Sequence, residues 1–181
     1  GIRDWSVTGV QTCALLLVMW SQQPYYIAAG LHESLFGVLM ACGFFVAGAS
    51  SHLGHKLDGK VDNAGALRLS YAFLILVCLG AAVQTGWGGI ALLMLGGSGL
   101  YGMVSPRVSD IINAQVGSER RATILSTQNL LVSLFFIPVS YAAGLASETH
   151  GIKGALVFIA AWLGLAAAVF AVLGRIKRSR R

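Results

Sequence analysis

The chain has 181 residues, 56% of them hydrophobic and only 11% charged, with 23 glycines, three prolines and a formal net charge of +6. A soluble domain carries roughly 25% charged residues, so this composition excludes a cytosolic enzyme, a secreted disulfide scaffold and a nucleic-acid-binding domain. The positive charge points to no nucleic acid, because five of the thirteen basic residues (Arg175, Lys177, Arg178, Arg180 and Arg181) crowd into a membrane-flanking tail. At roughly 20 residues per crossing the length holds about six helical spans. The expected fold class is therefore all-α, a polytopic helical membrane protein with lipid as its main solvent.

Residues 1–15 read GIRDWSVTGVQTCAL. This resembles the in-frame translation of a short-read sequencing adapter, the thirteen residues outside a two-residue sample index all agreeing. The expected organisation is an adapter-derived segment over 1–15, a transmembrane helical domain over 16–174 and a basic cytoplasmic tail over 175–181. The first apolar run, 16–27, would cover only about 18 Å and reads as a truncated span.

A complete span follows over 35–53, then the polar, charged stretch 54–65, a second complete span over 67–83 and a tight glycine-rich turn over 84–89. The next span, 90–104, ends at Pro106 and Arg107, and a polar connection leads to Arg121. Residues 122–146 form another, with Pro138 as the expected kink. After a loop over 147–154 comes the last, 155–173.

Because the loops alternate sides, their basic residues can be compared. Lys56, Lys60, Arg68, Arg107, Arg120, Arg121 and the five of the tail fall on one side, and Lys153 alone falls on the other. This bias predicts that the C-terminus and the long loops face the cytoplasm.

No Asp, Glu, Lys or Arg falls at mid-membrane depth, so a proton-coupling carboxylate is expected outside these spans. Uncharged polarity is plentiful. Gln22 and Gln23 lie beside Pro24, which has no N–H, so side-chain amides and freed backbone groups cluster where a broken helix could line a substrate site. The candidate cavity residues are Gln22, Gln23, Tyr26, Tyr101 and Asn129; Gln128 and Asn129 could equally hydrogen-bond a neighbouring helix.

The run Gly96-Gly-Ser-Gly-Leu-Tyr-Gly102 permits either bending or close packing, and the pairs Gly37/Ala41 and Gly43/Ala47 have the small-xxx-small spacing of helix contacts in lipid. Gly96-Gly-Ser-Gly99 also fits an intramembrane serine protease with Ser98 as nucleophile, but no span supplies the histidine that such chemistry needs. His52 and His55 lack a third ligand for zinc. Cys13, Cys42 and Cys78 have no metal spacing and read as filler. Neither a metal nor a cofactor is expected.

Pro106-Arg-Val-Ser-Asp-Ile-Ile-Asn113 and Ser118-Glu-Arg-Arg-Ala-Thr-Ile-Leu-Ser126 resemble the region between the tenth and eleventh helices of major facilitator superfamily permeases. Gln23-Pro-Tyr, Gly30-Leu and Phe36-Gly37 are similar to the seventh-to-eighth helix region of that family. The resemblance covers residue 16 to the end and implies helices seven to twelve, the C-terminal half of such a transporter with its first helix truncated. The family's basic loop signature is degenerate here, since Gly48 to Lys60 keeps a glycine, Asp58 and lysines without the usual spacing.

The resemblance implies a secondary active transporter that moves a small organic solute, efflux of drug-like molecules included, by alternating access and without covalent catalysis. Its implied setting is the inner membrane, with the lipid bilayer and a missing N-terminal half as partners. Candidate cytoplasmic gate residues are Asp58, Arg107, Asp110, Arg120 and Arg121, which would make and break ion pairs, or would form a solvated interfacial cluster. The competing reading is a non-transporting polytopic scaffold or sensor.

Overall fold

Long runs of Leu, Ala, Val, Phe and Gly offer the backbone no polar side chains to bond with. An α-helix satisfies each N–H and C=O within its own segment, which makes it the accessible solution for such runs. The computed structural model describes residues 2–57, 63–84, 86–115 and 121–179, and every element among them is helical. In order these are α1 (Ile2–Ala28), a 3-10 turn (Glu33–Leu35), α2 (Phe36–Leu57), α3 (Asn63–Val83), α4 (Trp87–Ala91), a π-helical run (Leu92–Ser98), α5 (Gly99–Gln115) and α6 (Arg121–Ser179). Gly151, at φ 68° and ψ −176°, breaks α6 into two arms, 121–150 and 152–179.

Three stretches are long and apolar enough to cross a membrane: Glu33–Gly54, Trp87–Asp110 and Ala122–Val169. The first, of 22 residues, would be about 33 Å long, against a hydrocarbon core of about 30 Å. Large apolar side chains cover much of the exterior, among them Phe45, Leu69, Leu76, Val83 and Tyr141. An apolar exterior of this kind is compatible with a membrane protein.

The helix formed by α4, the π run and α5 is the hub of the bundle. It packs against α1, α2 and α3, while α6 packs on α1 and α3, and α2 has its main contacts with the hub alone. Glycine gives the hub its three neighbours at once. A Cβ at Gly96 would lie 2.5 Å from the Val77 side chain of α3, one at Gly97 would lie 3.0 Å from Val18 of α1, and one at Gly102 would lie 1.9 Å from the Ala47 carbonyl oxygen of α2. The side chains opposite them follow helical spacing. Val18, Gln22 and Tyr25 face inward from α1, and Tyr71, Leu74, Val77 or Cys78, and Ala81 face inward from α3.

On α2 the contact stripe is Gly43, Ala47, Ser50 and Gly54, which meet Ser98, Gly102, Gly99 and Met103 respectively. The spacing argument therefore holds for Gly43 and Ala47. It does not extend to Gly37 and Ala41, which are exposed, with nothing within 4 Å of a Cβ at Gly37. The glycine cluster from Gly96 to Gly102 serves close packing.

Several boundaries differ from the sequence reading. α1 begins at Ile2 rather than at residue 16, and the hub runs through Pro106 to Gln115. A proline inside a helix removes one donor, so the cost is one orphaned carbonyl per site, and α1, α5 and the first arm of α6 each carry one, at Pro24, Pro106 and Pro138. The expected loop over 147–154 shrinks to the single residue Gly151, because one positive-φ glycine suffices to break the helix there.

The turn from α1 toward α2 is a Schellman motif. Gly30, at φ 77°, donates to the Ile27 carbonyl at 3.0 Å, and Leu31 donates to the Tyr26 carbonyl at 3.0 Å. The Tyr26 ring then meets Phe36 edge-on at 5.6 Å, which ties the end of α1 to the start of α2.

The hub geometry makes a direct prediction. Gly102→Ala should destabilise the chain by at least about 1–3 kcal/mol, since the clash is with backbone rather than with a movable side chain. Gly37→Ala should leave stability unchanged. Thermal unfolding of the two purified variants in detergent compares them, and equal melting temperatures would contradict the hub packing.

Candidate functional site

Two adjacent amides precede the proline of α1, and helical geometry sends them about 100° apart. Gln22 turns inward and is 2% exposed; Gln23 turns outward and is exposed. Among the described residues Gln22 and Ser98 are the buried polar side chains, and they meet.

The Gln22 Nε2 group donates to the Leu93 carbonyl at 3.3 Å and to Ser98 Oγ at 3.4 Å. The Tyr26 hydroxyl donates to Gln22 Oε1 at 3.3 Å. Each of these contacts is long against a mode of about 2.9 Å, but together they engage both ends of the amide. The π run is what places an acceptor here, since a helix whose bonds shift from i−4 to i−5 carries carbonyls out of the α-helical ladder. On its other side Ser98 Oγ fills the space beside Gly43, where a Cβ would approach to 2.9 Å. One hydroxyl thus sits at the junction of α1, the hub and α2.

A second polar contact, not anticipated from the sequence, is made by Tyr25. Its hydroxyl reaches the Ala81 carbonyl at 3.1 Å and the Gln84 carbonyl at 2.5 Å, so a side chain of α1 caps the end of α3. A Cβ at Gly89 would lie 1.7 Å from that hydroxyl, so the start of the hub must be glycine there. The available signal was the three-residue offset from Gln22 to Tyr25, which places both on one face of α1.

The five cavity candidates therefore divide. Gln22 and Tyr26 come together inside the bundle, with their polar atoms engaged in holding it. Gln23 and Asn129 are exposed on different helices, and Tyr101 is half-buried against the core. Asn129 lies on the first arm of α6 with Ser126 and Ser133, both exposed. Ser133 Oγ donates back to the Asn129 main-chain carbonyl at 2.9 Å, whereas the Asn129 side-chain amide has no partner among the described residues.

Of the gate candidates, Arg107 is half-buried and Asp110 exposed, one turn apart on α5. Asp58 and Arg120 lie outside the described residues, as does the side chain of Arg121. Nearby on α5, Asn113 Oδ1 is closed to solvent with no hydrogen-bond partner among the described residues.

The Ser98 hydroxyl is engaged with an amide, and His32, His52 and His150 are all exposed, so no described histidine stands ready to activate it. Among the described residues no three His, Cys, Asp or Glu side chains gather around a common point.

Gln22→Leu would leave Ser98, Tyr26 and the Leu93 carbonyl without their shared partner, and should cost about 1–3 kcal/mol. Gln23→Leu should fall within about 0.5 kcal/mol of the parent. Chemical denaturation in mixed micelles separates the two, and an equal effect at both positions would contradict the buried network. Comparison with protein-family models, with curated proteins and with solved structures finds no match to this chain.

Proposed function

We propose that the chain is the C-terminal half of a secondary transporter of the major facilitator type, carrying a small organic solute across the inner membrane by alternating access. The observation that carries this reading is Asn129. It is an exposed amide with no side-chain partner among the described residues, in the N-terminal third of the first arm of α6, on a helix otherwise long and apolar enough to cross a membrane. Facing lipid, such an amide is costly; facing a hydrated cavity shared with another helical bundle, it is satisfied.

The surroundings of Asn129 support the same reading. Ser126, Ser133 and Gly144 lie on its side of the helix and are exposed, and a Cβ at Gly144 would meet nothing within 4 Å. α2 likewise leaves Gly37, Ala41 and Gly48 uncovered. Small and polar surfaces suit a second bundle or a water-filled path better than acyl chains. With uncharged amides and apolar walls, this half suits a neutral solute or an amphipathic cation, with Asn129 and Gln23 as the contacts whose amides are free to engage it.

The test uses the longer protein that contains this chain, produced in bacterial cells loaded with ethidium, an amphipathic cation. The parent should lower ethidium retention, and Asn129→Leu should remove most of that effect at an unchanged membrane level. Gln22→Leu, if it lowers retention activity, should do so in proportion to lost protein. On a cysteine-free background Thr149→Cys should react with an impermeant maleimide on intact cells, and Lys177→Cys only after permeabilisation. A protein with this topology that moves none of a panel of neutral and cationic solutes would overturn transport in favour of a scaffold or sensor.

A further inference from the structure

We infer that the groove between α3 and the second arm of α6 is a binding site for a phospholipid with an anionic headgroup. This rests on the membrane reading above, but not on transport.

Leu79 and Val83 of α3 form one wall of the groove, and Val157 and Phe158 of α6 form the other. Its volume is about 800 Å³, within the range of about 300–1,000 Å³ that accepts ligands of drug or lipid-chain size. Both walls are hydrocarbon, and Val83 is 80% exposed, so the occupant must present an apolar chain.

The rim is different in kind. His150 and Lys153 stand there on either side of the Gly151 break. The return of the chain is tight, since a Cβ at Gly154 would come within 2.6 Å of the Ala146 carbonyl oxygen, and this holds Lys153 beside the groove mouth. Lys153 is exposed and makes no ion pair among the described residues. Glu148 is exposed on the same turn but does not line the groove. His150 Nδ1 is engaged with Thr149 Oγ1 at 2.8 Å, so Lys153 is the rim group that supplies the charge.

Charge decides the class of lipid. Lys153 is the one basic residue that the alternation of loops puts on its side of the chain, and it stands at the mouth of an apolar groove. An apolar chain between the walls and a phosphate at the rim satisfy both surfaces together. A zwitterionic lipid fills the walls but brings a cation toward Lys153. A small soluble anion finds a lysine and a histidine on an open rim and gains nothing from the hydrocarbon.

The purified full chain is released from detergent micelles supplemented with dioleoyl phosphatidylglycerol or dioleoyl phosphatidylcholine, and retained lipid is counted by native mass spectrometry. The parent should retain phosphatidylglycerol preferentially. Lys153→Gln should reduce that preference about five-fold, Lys153→Arg should keep it, and Val83→Trp, which fills the groove, should lower retention of both lipids. Equal retention of the two lipids by the parent, or an undiminished preference in Lys153→Gln, would overturn the inference. Displacement of phosphatidylglycerol by sn-glycerol 3-phosphate would overturn it in favour of a small-anion site. Recovery of the chain in the soluble fraction of expressing cells would instead strike the membrane reading beneath it.

Discussion

Backbone proximity at the hub is the constraint on which the bundle depends. Under the membrane reading proposed above, helices gain little by burying hydrocarbon against one another, so association relies on van der Waals contact and interhelical hydrogen bonds. Both require that backbones come close. Gly96, Gly97 and Gly102 bring the hub near α3, α1 and α2 in turn, and each contact falls on a different side of the same helix. The π run between Leu92 and Ser98 belongs to this arrangement, because it brings Leu93 and Ser98 to the one amide that α1 directs inward.

Polarity is then sorted by helix face. The buried amide of Gln22 and the hydroxyls of Tyr25, Tyr26 and Ser98 bind helices together, whereas Asn129 and Gln23 are left outside. Such an arrangement separates polar groups that hold the bundle from those that remain on its exterior. It also explains how few polar contacts the interior needs: Gln22 engages three partners from one position, and Tyr25 caps a second helix without leaving its own.

Much of this was legible in the sequence, and what was not has a physical reason. The helical class follows from composition and from long apolar runs. Gly43 and Ala47 were readable as contacts by their spacing, yet Gly37 and Ala41 have the same spacing and are exposed, because spacing identifies a stripe without saying whether a neighbour lies opposite it. Gln22 and Gln23 looked equivalent as residues beside Pro24; the 100° step between them gives one to the interior and one to the exterior. The Gly151 break was read as an eight-residue loop because Ser147, Glu148, Thr149 and His150 are polar, although each keeps helical geometry on an exposed arm. The π run was not read from residue type, since the apolar residues Leu92 to Leu95 are compatible with either α or π bonding.

The hub contact at Gly102 carries a consequence for how this protein varies. Elsewhere in a core, substitutions are graded, with a slightly larger or smaller side chain costing slightly more or less. At Gly102 the obstacle is a carbonyl oxygen of α2 that would lie 1.9 Å from the first side-chain atom, and every amino acid other than glycine has that atom. Each missense change at this codon, conservative or radical, meets the same wall, so mutational tolerance there is binary. Where a Cβ meets nothing within 4 Å, as at Gly65, the same replacement meets no wall, and tolerance is graded again.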